Sequence, residues 1–296
     1  MTTKTIRIIG VPIDLGQNQR GVDMGPSAIR YAGLSMRLKS LGYQLHDTGN
    51  LYVPVRDSLV EKSDDFLGAV QQVCQAVYEA AAQAVKDGEI PLFLGGDHSL
   101  AIGTIGGVTS REPIGVIWID AHGDANSPET SPSGNIHGMP VATLLGKGFP
   151  ELVNIGRPGA KLLGKDLVLI GIRDLDRSER DWLKQSGVRI YTMRDLDERG
   201  MGAVTREALE HLQGHRRLHI SLDMDGLDPD IAPGVGTPSP GGLSCREAQL
   251  FMEIIADTGK LASADIVEIN PILDHENRTA KIAVELAASL FGKSIL

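Results

Sequence analysis

The chain has 296 residues, of which 42% are hydrophobic and 23% charged, and its formal net charge at pH 7 is −9. This composition can bury a sizeable core and excludes an intrinsically disordered chain. The charge argues against nucleic acid as the main partner, because there is no surplus of lysine and arginine to meet phosphates. The two cysteines, Cys74 and Cys245, lack a C-x-x-C spacing, which predicts reduced thiols rather than a disulfide framework or a zinc ribbon.

Residues 1–12 lack the apolar core of a signal peptide, and no stretch approaches about 20 consecutive apolar residues. We therefore expect a soluble, cytoplasmic protein without a membrane partner. No composition shift, flexible linker or internal repeat divides the chain, so we expect one domain over residues 1–296.

Hydrophobic periodicity and turn residues predict alternating strands and helices. In chain order these are a strand at 5–11, a helix at 25–41, a strand at 45–47, a helix at 64–86 stopped by Gly88, a strand at 90–94, a helix after His98, strands at 114–119 and 167–172, a helix at 179–185, a strand at 188–192, a helix at 203–212, a strand at 219–223, a helix at 244–258, a strand at 261–269 and a helix at 279–290. The alternation predicts a parallel sheet covered by helices on both faces, with ligands bound outside the carboxyl ends of its strands.

Three predicted strands end in side chains that can bind a metal ion. Six such side chains occur at these ends: His98, Asp120, His122, Asp124, Asp223 and Asp225. Taken singly, an Asp-x-Asp after a strand is usually a turn or a helix cap, and a lone histidine is usually just hydrogen-bonded. Their combination at three strand ends indicates a metal site.

The ligand types indicate which metal the site prefers, and the charge indicates how many ions it holds. Four carboxylates and two imidazoles without a thiolate suit manganese or another first-row dication better than structural zinc or copper. Two dications balance four carboxylates, whereas one would leave excess negative charge in the cleft, so two aspartates would have to bridge the ions. Two adjacent dications lower the pKa of a shared water, which predicts hydrolysis without identifying the carbon attacked.

Three segments resemble the signatures of the ureohydrolase family: Gly95-Gly96-Asp97-His98-Ser99, Asp120-Ala121-His122-Gly123-Asp124 and Ser221-Leu222-Asp223-Met224-Asp225-Gly226-Leu227-Asp228-Pro229. The resemblance runs over nearly the whole chain, from Gly10-Val11-Pro12 to Glu268-Ile269-Asn270-Pro271. It implies a three-layer α/β/α sandwich with a mainly parallel eight-stranded sheet. It also implies a binuclear manganese centre whose bridging hydroxide hydrolyses a guanidinium group to urea.

The resemblance implies how two Mn²⁺ ions per subunit are held. One ion would bind His98, Asp120, Asp124 and Asp223. The other would bind His122, Asp120, Asp223 and Asp225, with Asp120 and Asp223 bridging. This agrees with the bridging that the charge count requires.

Within the family, the loop from Asn126 to Pro140 resembles that of arginases, particularly the bacterial type, more than that of agmatinases. The resemblance implies L-arginine as the substrate. Asn126, Ser133 and Asn135 would contact its α-carboxylate, and Asp176 would meet the α-ammonium with support from Glu179. Agmatine has no α-carboxylate, so it would offer these hydrogen-bond donors no acceptor.

Four further roles follow from the resemblance. Glu268 would bind the guanidinium, since a carboxylate holds a planar cation in a bidentate manner. His137 would shuttle protons to the leaving amine, and Asp124 would accept the proton of the attacking hydroxide. Thr237 would line the same cleft.

Three other functions remain as alternatives at this point. The nearest is another guanidino hydrolase, such as agmatinase or guanidinobutyrase. A zinc-dependent deacetylase uses one metal, and the second ligand set counts against it. A non-enzymatic binding protein fits poorly, because no proposed ligand is missing. Family members are usually trimers or hexamers, so we expect a homo-oligomer.

Overall fold

An eight-stranded sheet lies at the centre of the molecule, which the computed structural model describes over residues 4–60 and 66–294. Its strands are β1 Thr5–Val11, β2 Gln44–Asn50, β3 Ile90–Gly95, β4 Gly115–Ile119, β5 Leu167–Ile172, β6 Arg189–Thr192, β7 Leu218–Asp223 and β8 Leu261–Val267. The spatial order is β2-β1-β3-β8-β7-β4-β5-β6, and all neighbouring strands pair in parallel. The predicted α/β fold with a mainly parallel sheet is confirmed.

Twelve helices occur in the described part of the chain. They are α1 Gly25–Tyr31, α2 Leu34–Ser40, α3 Arg56–Val60, α4 Phe66–Lys86, α5 Ala101–Val108, α6 Pro140–Leu144, α7 Pro150–Val153, α8 Arg177–Ser186, α9 Met193–Arg199, α10 Met201–His211, α11 Cys245–Asp257 and α12 Arg278–Leu290. Of these helices, none combines the length and the apolar character that a bilayer crossing needs.

The helix predicted at 25–41 is wrong as one continuous element. The chain forms α1 and α2 instead, separated at Gly33, whose φ of 95° lies in the left-handed region that glycine adopts at no steric cost. Similarly, the strand predicted at 261–269 ends at Val267, because Glu268 takes a φ of 62°. Residues 64–65 of the predicted helix at 64–86 lie outside the described residues.

Two apolar cores lie on opposite faces of the sheet, so the fold has three layers. In β4, Ile117 and Ile119 point into the core under α1, α2 and α9 to α12, whereas Val116 and Trp118 point into the core under α4 to α8. Successive strand residues face opposite sides, so a strand buried on both faces needs an unbroken apolar run. That run is what the sequence pattern detects.

The strand order places one cleft at the centre of the sheet. From β1 and β3 the chain crosses to β4, β5 and β6 on the other side, and β7 and β8 later fill the space between. Such a reversal of strand order opens a crevice at the carboxyl ends of the strands. The predicted metal-binding segments follow β3, β4 and β7, which lie at this reversal.

Two glycines of α5 allow close packing against α4. A methyl group built on Gly103 would lie 2.4 Å from the carbonyl oxygen of Cys74, and one on Gly107 would lie 2.4 Å from that of Tyr78. A side chain at either position would push the helices apart. The glycine face of α5 therefore sets the distance between the two helices.

We expect Gly103→Ala to lower the free energy of unfolding by about 1–3 kcal/mol through overpacking. The control is Gly202→Ala in α10, where the nearest atom to the added methyl group is the end of the Arg206 side chain at 3.4 Å. This control should gain up to about 1 kcal/mol from a less flexible unfolded chain. Urea denaturation of both variants makes the comparison, and equal stabilities would contradict the packing argument.

Candidate metal centre and cleft

Two strand-end aspartates turn the chain in the same way. Oδ1 of Asp120, after β4, accepts from the backbone N–H of His122 at 2.7 Å. Oδ1 of Asp223, at the end of β7, accepts from the backbone N–H of Asp225 at 2.8 Å. These turns hold the residue two positions on beside the aspartate. Each strand thereby delivers a pair of ligand groups to the rim of the sheet.

The first ligand cluster surrounds Nδ1 of His98. This nitrogen lies 3.0 Å from Oδ2 of Asp223, 3.2 Å from Oδ2 of Asp124 and 3.3 Å from Oδ2 of Asp120. All four side chains are buried. The indole of Trp118 stacks on the imidazole of His98 at 3.9 Å, and its Nε1–H donates to Oδ2 of Asp120 at 2.9 Å. One aromatic side chain therefore fixes two members of the cluster.

The second cluster surrounds Nδ1 of His122. It lies 3.1 Å from Oδ2 of Asp225 and 3.4 Å from Oδ1 of Asp120. Asp120 thus offers one oxygen to each cluster, and both clusters have the spacing of groups that could hold a metal ion. Oδ2 of Asp225 also accepts from the hydroxyl of Thr237 at 3.0 Å.

The acid groups fit divalent cations on electrostatic grounds. Burial and the nearby carboxylates raise the pKa of Asp124 to about 6 and also raise the pKa of Asp223 and Asp225. Without a cation these carboxylates resist ionisation, because like charges are crowded in a medium of low polarity. A bound dication would relieve that repulsion, and the donors are the oxygen and nitrogen ligands that first-row dications accept.

A buried polar network lies behind His98. Oγ of Ser221 donates to Oδ1 of Asp265 and lies 2.8 Å from Nε2 of His98. Oδ2 of Asp265 lies 3.1 Å from Nε2 of His219 and accepts from the hydroxyl of Thr104 at 2.6 Å. Because the Ser221 hydroxyl donates to Asp265, it accepts from Nε2–H of His98. Nδ1 of His98 then keeps its lone pair toward the acid cluster.

Glu268 lies next to the first cluster, after β8. Its Oε1 accepts from the backbone N–H of His98 at 2.9 Å and lies 3.0 Å from Nδ1 of His137. Its Oε2 accepts from Nε2 of Gln17 at 2.8 Å. Burial alone would raise the pKa of Glu268, but the charge of His137 and these hydrogen bonds outweigh it, so the pKa is lowered. Glu268 is therefore an ionised carboxylate in a buried position.

Backbone strain is present at two predicted functional residues. Asp124 has a φ of 48° and Glu268 a φ of 62°, values that residues other than glycine seldom adopt. Each conformation is held by the surroundings, since the Asp124 carbonyl accepts from Val141 N–H at 2.8 Å and Glu268 N–H donates to Gly96 at 2.9 Å. Such strain persists where the surrounding structure fixes a side chain in a required position.

A cleft of about 200 Å³ opens above the two clusters. Its lining residues are His122, Asp124, Asn126, His137, Gly138, Asp174, Asp176, Glu179, Asp223, Asp225 and Thr237. At the outer end, Asn126 Nδ2 donates to Oδ2 of Asp176 at 2.8 Å, and Oδ1 of Asp176 caps α8 through the N–H of Glu179. Oε1 of Glu179 accepts from Ala125 N–H at 2.8 Å, and burial raises the pKa of Glu179 to about 8.

Ser133 and Asn135 lie apart from the other predicted site residues. Ser133 is exposed and its hydroxyl accepts from the backbone N–H of Asn135 at 3.2 Å, while Asn135 is half-buried before the 3₁₀ turn Ile136–Gly138. Both belong to the same loop as Asn126 and His137, but neither lines the described cleft. Of the predicted substrate contacts, Asn126, Asp176, Glu179 and Thr237 do line this cleft.

The sequence pattern does not identify several residues that shape the site. The guanidinium of Arg173, which follows β5, donates to five backbone carbonyls, those of Gly171, Asp225, Gly226, Leu227 and Ser239. It thereby joins the segment carrying Asp225 to β5 and to the loop carrying Thr237. In the sequence, the only feature that draws attention to Arg173 is its position after a predicted strand. The same is true of Gln17, which follows β1.

The fold and this arrangement define an α/β protein with a cleft whose acidic and imidazole groups could hold metal ions. The family model described as "Arginase family" matches residues 4–292. The chain is 50% identical to the arginase of Bacillus caldovelox over 298 residues, covering 99% of this chain and 100% of that protein. It is 49% identical to the arginase of Bacillus subtilis over 296 residues, covering 99% of each.

A solved structure agrees with these sequence relatives. The crystal structure of arginase from Bacillus subtilis superposes with a TM-score of 0.94 at 48% identity, covering 99% of this chain and 100% of that chain. The chain belongs to the arginase family and is a hydrolase of that family. The family binds metal, and the relatives support arginase function.

The ion pair between His137 and Glu268 predicts a pH dependence of stability in the metal-free protein. Burial alone would lower the pKa of His137, but Glu268 outweighs it and raises the pKa from 6.5 to about 9. A raised histidine pKa stabilises the fold fully below the unfolded value, and this contribution is lost as pH rises through the folded value. It is therefore complete below about pH 6.5 and lost through about pH 9.

We expect His137→Asn, which keeps an N–H donor without the charge, to be less stable than the wild type near pH 6. The two proteins should converge above about pH 9, where wild-type His137 is neutral. Urea denaturation of chelator-treated samples across this range measures the difference. A stability gap that stays constant with pH would exclude the ion pair as its source.

Proposed function

We propose that this protein hydrolyses L-arginine to L-ornithine and urea with two Mn²⁺ ions per subunit. The observation that carries the proposal is the pair of His and Asp clusters that share Asp120 beside the ionised carboxylate of Glu268. Such a site combines ligands for two cations with a group that attracts a third, the guanidinium. The family relationship supports the same reaction.

The ligand sets follow from the two clusters. His98, Asp120, Asp124 and Asp223 would hold one ion, and His122, Asp120, Asp223 and Asp225 would hold the other. When bound, two such dications would lower the pKa of a water molecule to near neutrality and so supply a nucleophile. Oxygen-rich sites with some nitrogen favour manganese among the common dications.

The chain's own residues then bind substrate and move protons. Glu268 binds the planar guanidinium and turns its carbon toward the clusters. Oδ2 of Asp124 accepts the proton of the attacking water as the new carbon–oxygen bond forms. The bond between the guanidinium carbon and the substituted nitrogen breaks, and the imidazole of His137, which lines the cleft, delivers a proton to that nitrogen. Ornithine leaves with this amine, and urea keeps the carbon.

The outer end of the cleft suits the α-groups of an amino acid. Asn126, Ser133 and Asn135 offer neutral donors to the α-carboxylate, and the carboxylate of Asp176 meets the α-ammonium. Glu179 supports this end through its bond to Ala125, and Thr237 lines the inner wall beside Asp225.

We also propose that residues 1–296 form one domain and that the protein acts in the cytoplasm as a homo-oligomer, a trimer or a hexamer. Both cysteines, Cys74 and Cys245, are free thiols, as a reducing compartment requires. No contact with nucleic acid or with a membrane is part of the proposal.

Chelation and reconstitution test the reaction. Urea release from L-arginine should disappear after treatment with a chelator and return with Mn²⁺. With agmatine in a parallel assay, kcat/KM should be roughly 100-fold lower, since the donors at the outer end are left without the α-carboxylate. Urea release that survives complete metal removal would refute the metal-dependent reaction, and a preference for agmatine would refute the substrate.

The network behind His98 makes a separate prediction. Asp265→Ala should weaken Mn²⁺ affinity roughly 10- to 100-fold, because the Ser221 hydroxyl loses its acceptor and no longer fixes the imidazole of His98. Ser263→Ala is the matched control, since the hydroxyl of Ser263 lies 2.8 Å from Nδ1 of His219, at the far end of the network. Chelator competition measures the affinities, and urea denaturation of both metal-free variants reports general destabilisation. Equal affinities in the two variants would contradict the orienting role of Asp265.

A further inference from the structure

Gln17 lies in the loop between β1 and α1, and its side chain is only 2% exposed. Two contacts fix this loop. Nη1 of Arg56 donates to the backbone carbonyl of Gln17 at 2.6 Å, and the backbone N–H of His137 donates to that of Gly16 at 2.9 Å. The loop is therefore tied to the segment that carries the proposed proton shuttle, and the Gln17 amide is held deep beside the cleft.

The orientation of this amide is determined by Glu268. Nε2 of Gln17 donates to Oε2 of Glu268 at 2.8 Å. A reversed amide would set its oxygen against an ionised carboxylate, two acceptors with no hydrogen between them. Oε1 of Gln17 must therefore face away from Glu268.

This oxygen has no hydrogen-bond partner among the described residues, although it is buried. A buried carbonyl oxygen left without a donor costs about 1–3 kcal/mol. Native proteins keep few such atoms, so an unpaired oxygen next to a binding site is a candidate acceptor for a donor group of the ligand.

The position of Gly236 shows where this oxygen points. A methyl group built on Gly236 would lie 3.0 Å from Oε1 of Gln17 and 3.5 Å from Oε2 of Glu268. Both acceptor oxygens therefore face the same place, beside the residue that precedes Thr237 in the cleft wall. The absence of a side chain at Gly236 keeps that place open.

We propose that Gln17 is a substrate-binding residue whose Oε1 accepts an N–H of the guanidinium held by Glu268, an inference that rests on the proposed function. A substituted guanidinium carries five N–H donors in one plane, and a single carboxylate satisfies two of them. The amide oxygen, held in line with the carboxylate by Nε2, takes a third. The pair distinguishes a guanidinium from the shorter amine of ornithine, which does not reach this depth.

The test compares substrate and product in the manganese-loaded enzyme. In Gln17→Met, which keeps the volume but removes both polar atoms, we expect the KM for arginine to rise roughly tenfold. The inhibition constant of ornithine should stay within about twofold, since ornithine has no guanidinium. Asn18→Leu, which likewise keeps the volume and removes both polar atoms, is the matched control, because Asn18 is exposed in the same loop. Manganese content should equal that of the wild type in both variants.

A KM for arginine that is unchanged in Gln17→Met, or an ornithine constant that rises in parallel, would overturn the assignment. If Gln17→Met does not fold, Gln17→Asn decides by the same two constants, because it retracts the amide from the guanidinium.

Wild-type protein must release urea from arginine in the same assay. If the wild type releases no urea, the proposed function is wrong. If it releases urea and the Gln17 variants have an unchanged KM for arginine, only the role of Gln17 is wrong.

Discussion

The crowding of buried carboxylates at the ends of β4 and β7 is the constraint on which the site depends. Asp120, Asp124, Asp223 and Asp225 lie within a few ångströms of two imidazoles, and burial together with the neighbouring carboxylates raises the pKa of three of them, Asp124, Asp223 and Asp225. Parallel strands allow this, because their carboxyl ends meet at one edge while the apolar runs before them anchor each aspartate. Bound cations relieve the repulsion among these carboxylates. Because folding is what brings the carboxylates together, folding and metal binding are linked.

Polar groups behind the clusters keep them in place. Asp265 is buried inside the sheet, and burial alone would raise its pKa, but the charge of His219 and the hydrogen bonds from His219 and Ser221 lower it. Arg173 fixes the segment of Asp225 through backbone carbonyls. A buried network of this kind costs desolvation, which is offset only when its members are satisfied. The network holds the ligand side chains in position before a metal ion binds.

The parts of the site that the sequence predicts are those with a local pattern. An apolar run that ends in Asp120 or Asp223 indicates a buried strand and the point where it reaches the edge of the sheet. The strands were predicted to within a few residues of their observed bounds. Gln17 and Asp265 have no such pattern, since only partners distant in the chain make them notable. The helix predicted at 25–41 failed for a related reason, because periodicity continues across Gly33 while the backbone does not.

The acceptors around Glu268 explain why a second oxygen is needed at the guanidinium end. Oε1 of Glu268 already faces two nitrogens, from His98 and His137, whereas among the described residues Oε2 faces one, Nε2 of Gln17. A guanidinium that arrives beside this carboxylate finds free acceptor capacity mainly at Oε2. The neighbouring Oε1 of Gln17 extends that capacity without adding a negative charge. A second carboxylate in its place would repel Glu268 at hydrogen-bond distance. A neutral acceptor orients the guanidinium without that repulsion.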